Sequence, residues 1–143
     1  VITVAHNGKK DGLTATATCS VSAEPPQLLV CVNKEAGAHD LIQEEGVFGV
    51  NVLARDQEDI AKRFAGIDGA DRIDRYSLGV WTKIATGAPI LEGALASFDC
   101  QVAESMTAGT HSIFIGRIVG INFRPGPPLI YGDAQFTGLS IPL

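Results

Sequence analysis

From Leu13 the chain alternates with a period of two residues. Leu13, Ala15, Ala17, Cys19 and Val21 fall on one side, and Thr14, Thr16, Thr18 and Ser20 on the other. Successive side chains of a β-strand point to opposite faces, so the stretch predicts a strand with one apolar and one hydroxyl face. Val1 to Ala5 reads as the strand before it. Asn7-Gly8 and Asp11-Gly12 are turn pairs, and they predict that the two strands form a hairpin. Pro25-Pro26 ends the second strand. Leu28 to Asn33 is a short unbroken apolar run with β-branched Val30 and Val32, the pattern of a central strand buried on both faces.

Two short helices interrupt the strands. One runs near Ala38 to Glu45 and is stopped by Gly46. The other runs near Gln57 to Ala65, started by Asp56 and stopped by Gly66. In the second, Ile60, Ala61 and Phe64 share a stripe, while Glu58 with Lys62 and Asp59 with Arg63 form i,i+4 pairs on the wet face. Val47 to Leu53 between the helices predicts a strand. Ile67 to Ser77 is rich in Gly, Asp and Arg without apolar periodicity, which predicts a long surface loop whose order depends on a ligand. Alternation returns with Ala96, Phe98, Cys100 and Val102 opposite Ser97, Asp99, Gln101 and Ala103. It resumes from Ser112 to Phe123 after a Thr107-Ala108-Gly109 turn, giving a long antiparallel pair. After Pro125-Gly126-Pro127-Pro128 a last strand begins at Leu129. Many short strands and little helix point to a small closed barrel, with residues 1 to 143 as one domain.

Composition narrows the function. Eleven Lys and Arg against sixteen Asp and Glu give a formal charge of -5, and a negative surface repels phosphate backbones unless a basic patch overrides it. The densest basic stretch, Lys62 to Arg75, is interleaved with Asp68, Asp71 and Asp74, so nucleic acid is not an expected partner. No apolar run approaches the ~20 residues of a spanning helix, and no membrane association is expected. Cys19, Cys31 and Cys100 are odd in number and contain no Cys-x-x-Cys, which argues for a reducing compartment, the cytoplasm, and against structural zinc. The chain opens on Val1 already within a strand, which predicts that the natural chain carries a segment before it.

The chemistry-bearing motifs of the common enzyme classes are missing. There is no Gly-x-Gly-x-x-Gly, no Gly-x-x-x-x-Gly-Lys, no Gly-x-Ser-x-Gly and no His-Glu-x-x-His. His6, His39 and His111 lie far apart in the sequence, and no metal site or nucleophile pair is expected. A pattern of small polar positions is left.

That pattern resembles the flavin reductase domain family, the short reductase components of two-component flavin monooxygenases. The resemblance is carried by Gly12-Leu13-Thr14-Ala15-Thr16-Ala17-Thr18-Cys19-Ser20, by Pro25-Pro26 with Leu28 to Lys34, and by Phe48 to Leu53 with Phe64-Ala65-Gly66. It continues through Trp81, Gly87 to Leu91, Ala96 to Cys100, Gly109-Thr110-His111 and Pro128 to Tyr131. Each segment alone is weak, and their order along nearly the whole chain is specific. The reductases of phenol and 4-hydroxyphenylacetate hydroxylases look closest. The resemblance implies a mostly β fold, an FMN-binding split β-barrel with a few short peripheral helices, working as a homodimer.

It also implies a site. A flat isoalloxazine ring can approach a strand only where side chains are short, and Thr14, Ala15, Thr16, Ala17, Thr18 and Ser20 are short; they also offer hydroxyl and backbone donors to ring carbonyls. An ordinary half-buried strand shows the same alternation. Asn33, Lys34, Ala36, Gly37, Ala38 and His39 join a strand to a helix start, where free backbone N–H groups and Lys34 can hold the flavin phosphate; a plain turn has the same look. Arg63, Phe64 and Ala65 resemble family contacts to the cofactor or its dinucleotide end, with helix core as the other reading of Phe64. Gly109, Thr110 and His111 resemble the family's Gly-Asp-His motif, whose histidine is implicated in binding the nicotinamide dinucleotide. Thr110 departs from Asp and can hold no fixed charge. Gly132-Asp133-Ala134-Gln135 stands where the family often has basic residues.

The function implied is hydride transfer from NADH or NADPH to FAD or FMN, with reduced flavin leaving for a separate oxygenase. Such chemistry needs two rings held parallel and no protein acid or base, so no catalytic residue is expected. A non-catalytic flavin-binding redox sensor or electron-transfer module on the same barrel is the alternative. An oxidase of the pyridoxamine-phosphate type ranks last, because its phosphate-binding arginines are not evident.

Overall fold

The computed structural model describes residues 1–140; the last three of the 143 residues expected to form one domain lie outside the described residues. In chain order the elements are β1 (Ile2–His6), β2 (Lys9–Leu13), β3 (Thr18–Ser22), β4 (Gln27–Asn33), α1 (Gly37–Glu45), β5 (Val47–Val52), α2 (Glu58–Ala65), β6 (Trp81–Thr82), β7 (Ile90–Leu91), β8 (Ala96–Ala108), β9 (His111–Phe123), β10 (Leu129–Gly132) and β11 (Gln135–Gly138). Seven strands form one antiparallel sheet in the order β2-β1-β5-β8-β9-β4-β3. Two small two-stranded sheets, β6-β7 and β10-β11, stand beside it.

Val4 of β1, Val30 and Val32 of β4, Phe48 of β5 and Phe114 of β9 are fully buried in one cluster. Residues from near both ends of the strand order meet in a single core, so the sheet is rolled. The two end strands, β2 and β3, are consecutive in the chain yet share no hydrogen bond among the described residues, which leaves the roll open along one seam. α1 is less peripheral than expected. Its Ala38 and Ile42 enter the core, and its His39 reaches Ser112 on β9. A second cluster gathers Leu53, Ile60, Phe64 and Leu91 with Tyr76, Trp81, Leu129 and Phe136 packed around it.

Several expectations need correction. Asp11-Gly12 is not a turn. Asn7 (φ 48) and Gly8 (φ 77) complete the β1–β2 hairpin alone, and Asp11 and Gly12 lie buried within β2. The strand expected from Leu13 to Val21 is broken between Leu13 and Thr18. β4 alternates buried and half-buried positions and so is covered fully on one face only. Asp56 caps nothing. The entry to α2 is held instead by Gln57, whose Oε1 accepts from the Ala54 N–H at 2.9 Å. Glu58 and Lys62 pair at 2.6 Å, but Arg63 turns from Asp59 to Asp68. The predicted faces of β8 fail before a bulge between Asp99 and Cys100: Ser97 and Asp99 are buried, with Asn51 and the Ala85-Thr86 backbone N–H groups as their partners.

The 67–77 segment was expected to need a ligand for order, yet the chain itself pins it. Asp11, buried in β2, pairs with Arg72 and with Arg75 Nη1 (2.8 Å), while the Tyr76 hydroxyl donates to the Asp11 carbonyl at 2.6 Å. Burial holds the Tyr76 phenol above its usual range, so it stays protonated and a donor. At the other side Arg63 Nη1 donates to the Asp74 carbonyl (2.8 Å) and the Ser77 hydroxyl (2.9 Å).

Packing across the sheet leaves one position testable. A Cβ at Gly116 of β9 would stand 2.5 Å from Phe48 Cζ and 2.8 Å from Cys100 Cβ, and both neighbours are fully buried. Gly116→Ala is expected to cost about 1–3 kcal/mol by overpacking, read as a lower urea midpoint at unchanged slope.

Candidate functional site

The site begins where Thr14 leaves the sheet. Its N–H donates to the Phe64 carbonyl (3.3 Å) and its hydroxyl to the Ala61 carbonyl (2.7 Å), both on α2. The carbonyls that follow stay bonded: Thr16 accepts from the Thr18 N–H at 2.9 Å and Ala17 from the Cys31 N–H at 3.0 Å. The N–H groups of Ala15, Thr16 and Ala17 donate to nothing among the described residues. A backbone donor without a protein partner is an open demand for water or ligand.

These residues floor a cavity of about 420 Å³. Leu13 to Ala17 form its base, Cys31 and Asn33 of β4 one side, Ala65 and Ile67 another, and His111, Tyr131 and Phe136 complete it. No carboxylate, lysine or arginine lines it. A second lobe of about 290 Å³ shares Thr14, Ala15, Thr16, Tyr131 and Phe136 and runs along Val50 to Leu53. A separate cleft of about 370 Å³ near His6, Glu45, Trp81 and Lys83 contains none of the residues assigned to a binding site from sequence, although Trp81, Gly87 and Pro89 of the family resemblance line it.

The structure therefore gathers Thr14, Ala15, Thr16, Ala17, Asn33, Ala65 and His111, which come from four stretches of chain. Thr18 lines the second lobe. Ser20 does not join them; it is exposed on β3 opposite Leu28, because the break after Leu13 ends the common face.

The 33–39 stretch departs from expectation. Its N–H groups are mostly committed: Lys34 to the Thr110 carbonyl (3.0 Å), Glu35 to Asn33 Oδ1 (2.9 Å), and Ala36 to the Asn33 carbonyl (3.0 Å). Gly37 lies against the Arg72 guanidinium, where a Cβ would overlap it. Ala38 is buried, and so is His39, whose Nε2 meets Ser112 Oγ at 2.8 Å and whose ring packs on Phe114. His39 is a satisfied core histidine. Lys34 is exposed beside Asn33 and has no ion pair among the described residues.

Arg63 and Phe64 also have structural duties. Arg63 holds the 68–77 segment, and Phe64 is buried between Tyr76 (5.1 Å) and Trp81 (5.4 Å). Gly109 and Thr110 form the exposed turn between β8 and β9. Thr110 Oγ1 lies 2.8 Å from His111 Nδ1, so a hydroxyl fixes one ring nitrogen and leaves Nε2 without a protein partner among the described residues.

Leu13, Cys31, Ile67, Tyr131 and Phe136 line the cavity without having been assigned a role from sequence. The last two had a readable signal: they are aromatic residues flanking a short polar stretch, at a spacing that makes them partners across a hairpin.

The chain is similar to known proteins along its described length. The family profile described as flavin reductase like domain matches residues 1–140. The FMN reductase (NADH) RutF of Stutzerimonas stutzeri is 38% identical over 141 residues, covering 98% of this chain and 80% of that protein. The 4-hydroxyphenylacetate 3-monooxygenase reductase component of Escherichia coli is 36% identical over 137 residues, covering 95% of this chain and 81% of that one. Among solved structures, the NADH:FAD oxidoreductase SgcE6 of Streptomyces globisporus C-1027, in complex with NAD and FAD fragments, matches with a TM-score of 0.87 at 29% identity, over 97% of this chain and 82% of that one. A profile match across all the described residues, with relatives of this identity, places the chain in the flavin reductase like domain family.

Proposed function

We propose that this chain is an NAD(P)H:flavin oxidoreductase that takes hydride from a nicotinamide dinucleotide, NADH above all, passes it to FMN or FAD, and releases reduced flavin to a separate oxygenase. The observation that carries the reading is the cavity floor. Thr14 to Ala17 have short side chains, the N–H groups of Ala15, Thr16 and Ala17 have no protein partner among the described residues, and a planar ring bearing carbonyl acceptors fits that surface in shape and in hydrogen bonding. Bound flavin supplies the hydride-accepting chemistry. The chain's own residues bind and orient: Asn33 and the 15–17 amides as polar contacts, Ala65 and Ile67 as an apolar side. His111, oriented through Thr110, is the contact we assign to the dinucleotide. With Lys34, Glu35 and Ala36 N–H groups committed, the flavin phosphate falls to the Lys34 ammonium and the N–H groups of Gly37 and Ala38.

We read the chain as one domain that works as a homodimer. Ile121 (56% exposed) and Phe123 (78%) lie on β9, and Phe123 sits in one row with Ala96 and with Val52, itself 39% exposed, across three strands. Such an apolar row is suited to covering by a second copy. No helix among the described residues is long and apolar enough to cross a membrane. All three cysteines are free thiols, and burial beside Asp99 pushes Cys100 up to about 12, so it stays an inert thiol. A reducing compartment suits them, and the cytoplasm is the one we propose.

Three measurements test these assignments. Ala17→Leu puts a branched side chain at an exposed floor position, so the KM for flavin is expected to rise about tenfold or more, with the unfolding midpoint unchanged. Equal KM in both proteins counts against the floor. His111→Ala is expected to raise the KM for NADH severalfold while flavin affinity, read by fluorescence titration, stays within about twofold. Sedimentation equilibrium is expected to give twice the chain mass, falling to one chain mass for Phe123→Asp; a wild-type monomer removes the dimer.

A further inference from the structure

The β10–β11 hairpin stands apart from the rolled sheet, yet it supplies two walls of the site. Tyr131 and Phe136 are partners across the hairpin, with ring centroids 4.9 Å apart, and both line both lobes of the cavity. Half of the Tyr131 surface (49%) is exposed. An aromatic ring left half-open at the rim of an apolar cavity has a free face for another flat ring.

The attachment of this hairpin is slight. The Leu129 N–H donates to the Leu53 carbonyl at 3.0 Å, and the Arg55 N–H to the Pro127 carbonyl at 2.9 Å; both bonds lie at its root. Lys62 Nζ stands 5.9 Å over the Phe136 ring. Among the described residues no hydrogen bond ties β11 to the sheet. The strands are four residues each, and two-stranded ribbons of that length are marginal alone. At the tip both Asp133 (φ 50) and Ala134 (φ 57) are left-handed, a turn that favours Asn-Gly and penalises Ala.

We propose that Tyr131 and Phe136 are flavin-contacting residues, and that the β10–β11 hairpin is the wall that swings for flavin to enter and leave. The inference rests on reading the cavity as the flavin site. Closing the hairpin lays the Tyr131 ring on the bound ring and completes an apolar enclosure. The strained tip and the thin root keep closure weak, which suits a product that has to be handed to another protein.

The experiment uses the full chain with FMN and with FAD, by stopped-flow flavin dissociation, fluorescence titration, and steady-state KM and kcat with NADH. Tyr131→Leu keeps apolar bulk but removes the ring. Flavin dissociation is expected to accelerate about tenfold with the unfolding midpoint unchanged. Emission of the residual bound flavin is expected to rise, since a contacting tyrosine quenches flavin by electron transfer and leucine does not. Ala134→Gly relieves the tip without altering charge or touching the cavity, and flavin dissociation is expected to slow roughly two- to fivefold. Slower release from a loop variant is an outcome that mere structural damage does not produce. If the wild type reduces flavin and both variants keep its dissociation rate and emission, this inference is overturned while the reductase reading stands. A wild type that binds no flavin overturns both.

Discussion

The site exists because two sets of unsatisfied backbone groups meet at Thr14. A helix leaves its last carbonyls without intrahelical donors, and the Phe64 carbonyl, near the end of α2, takes the Thr14 N–H. The Thr14 hydroxyl reinforces the contact at Ala61. Once Thr14 is spent on the helix, the strand cannot continue, and residues 15–17 cross the seam between the two end strands with their own N–H groups unused. A fully closed barrel would have paired them. The opening in the sheet and the unpaired donors on the cavity floor are the same structural fact.

Around this seam the walls differ in firmness. The 66–77 side is tied by charge: one buried carboxylate holds two arginines and its backbone oxygen holds Tyr76, while Arg63 fastens the far end. Hydrogen bonds to charged groups are each worth about 1.5–3 kcal/mol, and cutting one partner leaves the other without its counter-ion, so this wall stays put. The 129–138 side has nothing comparable. Its contacts are apolar packing, Lys62 over the Phe136 ring, the Arg55 side chain against Gly138, and two backbone bonds at the root. The two walls thus differ in how many polar bonds hold them.

Sequence carried the period-two strands, the glycine that ends each helix in the left-handed conformation, and the small residues of the 14–17 floor, because each of these is a local property. It failed wherever a long-range partner decided the outcome. Asp11-Gly12 reads as a turn until Arg72 and Arg75, some sixty residues later, neutralise the carboxylate inside a strand. Ser20 reads as part of the floor only while the strand is taken as unbroken, and the bond that breaks it comes from α2. His39, Arg63 and Phe64 carry the right chemistry for a ligand and spend it on Ser112, on the 68–77 segment and on Tyr76 with Trp81. Tyr131 and Phe136 were passed over because a hairpin outside the main sheet gives no hint of the surface it leans on.

The charge pattern of the cavity bears on how a ligand can be held. Among the described residues neither lobe is lined by a carboxylate, lysine or arginine; Lys34 is exposed beside Asn33, and Lys62 Nζ stands 5.9 Å over the Phe136 ring. An exposed ammonium contributes little to binding a phosphate in water, since screening and side-chain entropy offset most of the attraction. On the reading proposed above, the enclosed part of the site offers a ring shape, amide donors and aromatic contact, and the phosphate is left to Lys34 and the Gly37 and Ala38 N–H groups outside it. On that same reading, the exchange of flavin falls to the β10–β11 hairpin, the wall with the fewest polar ties to the rest of the chain.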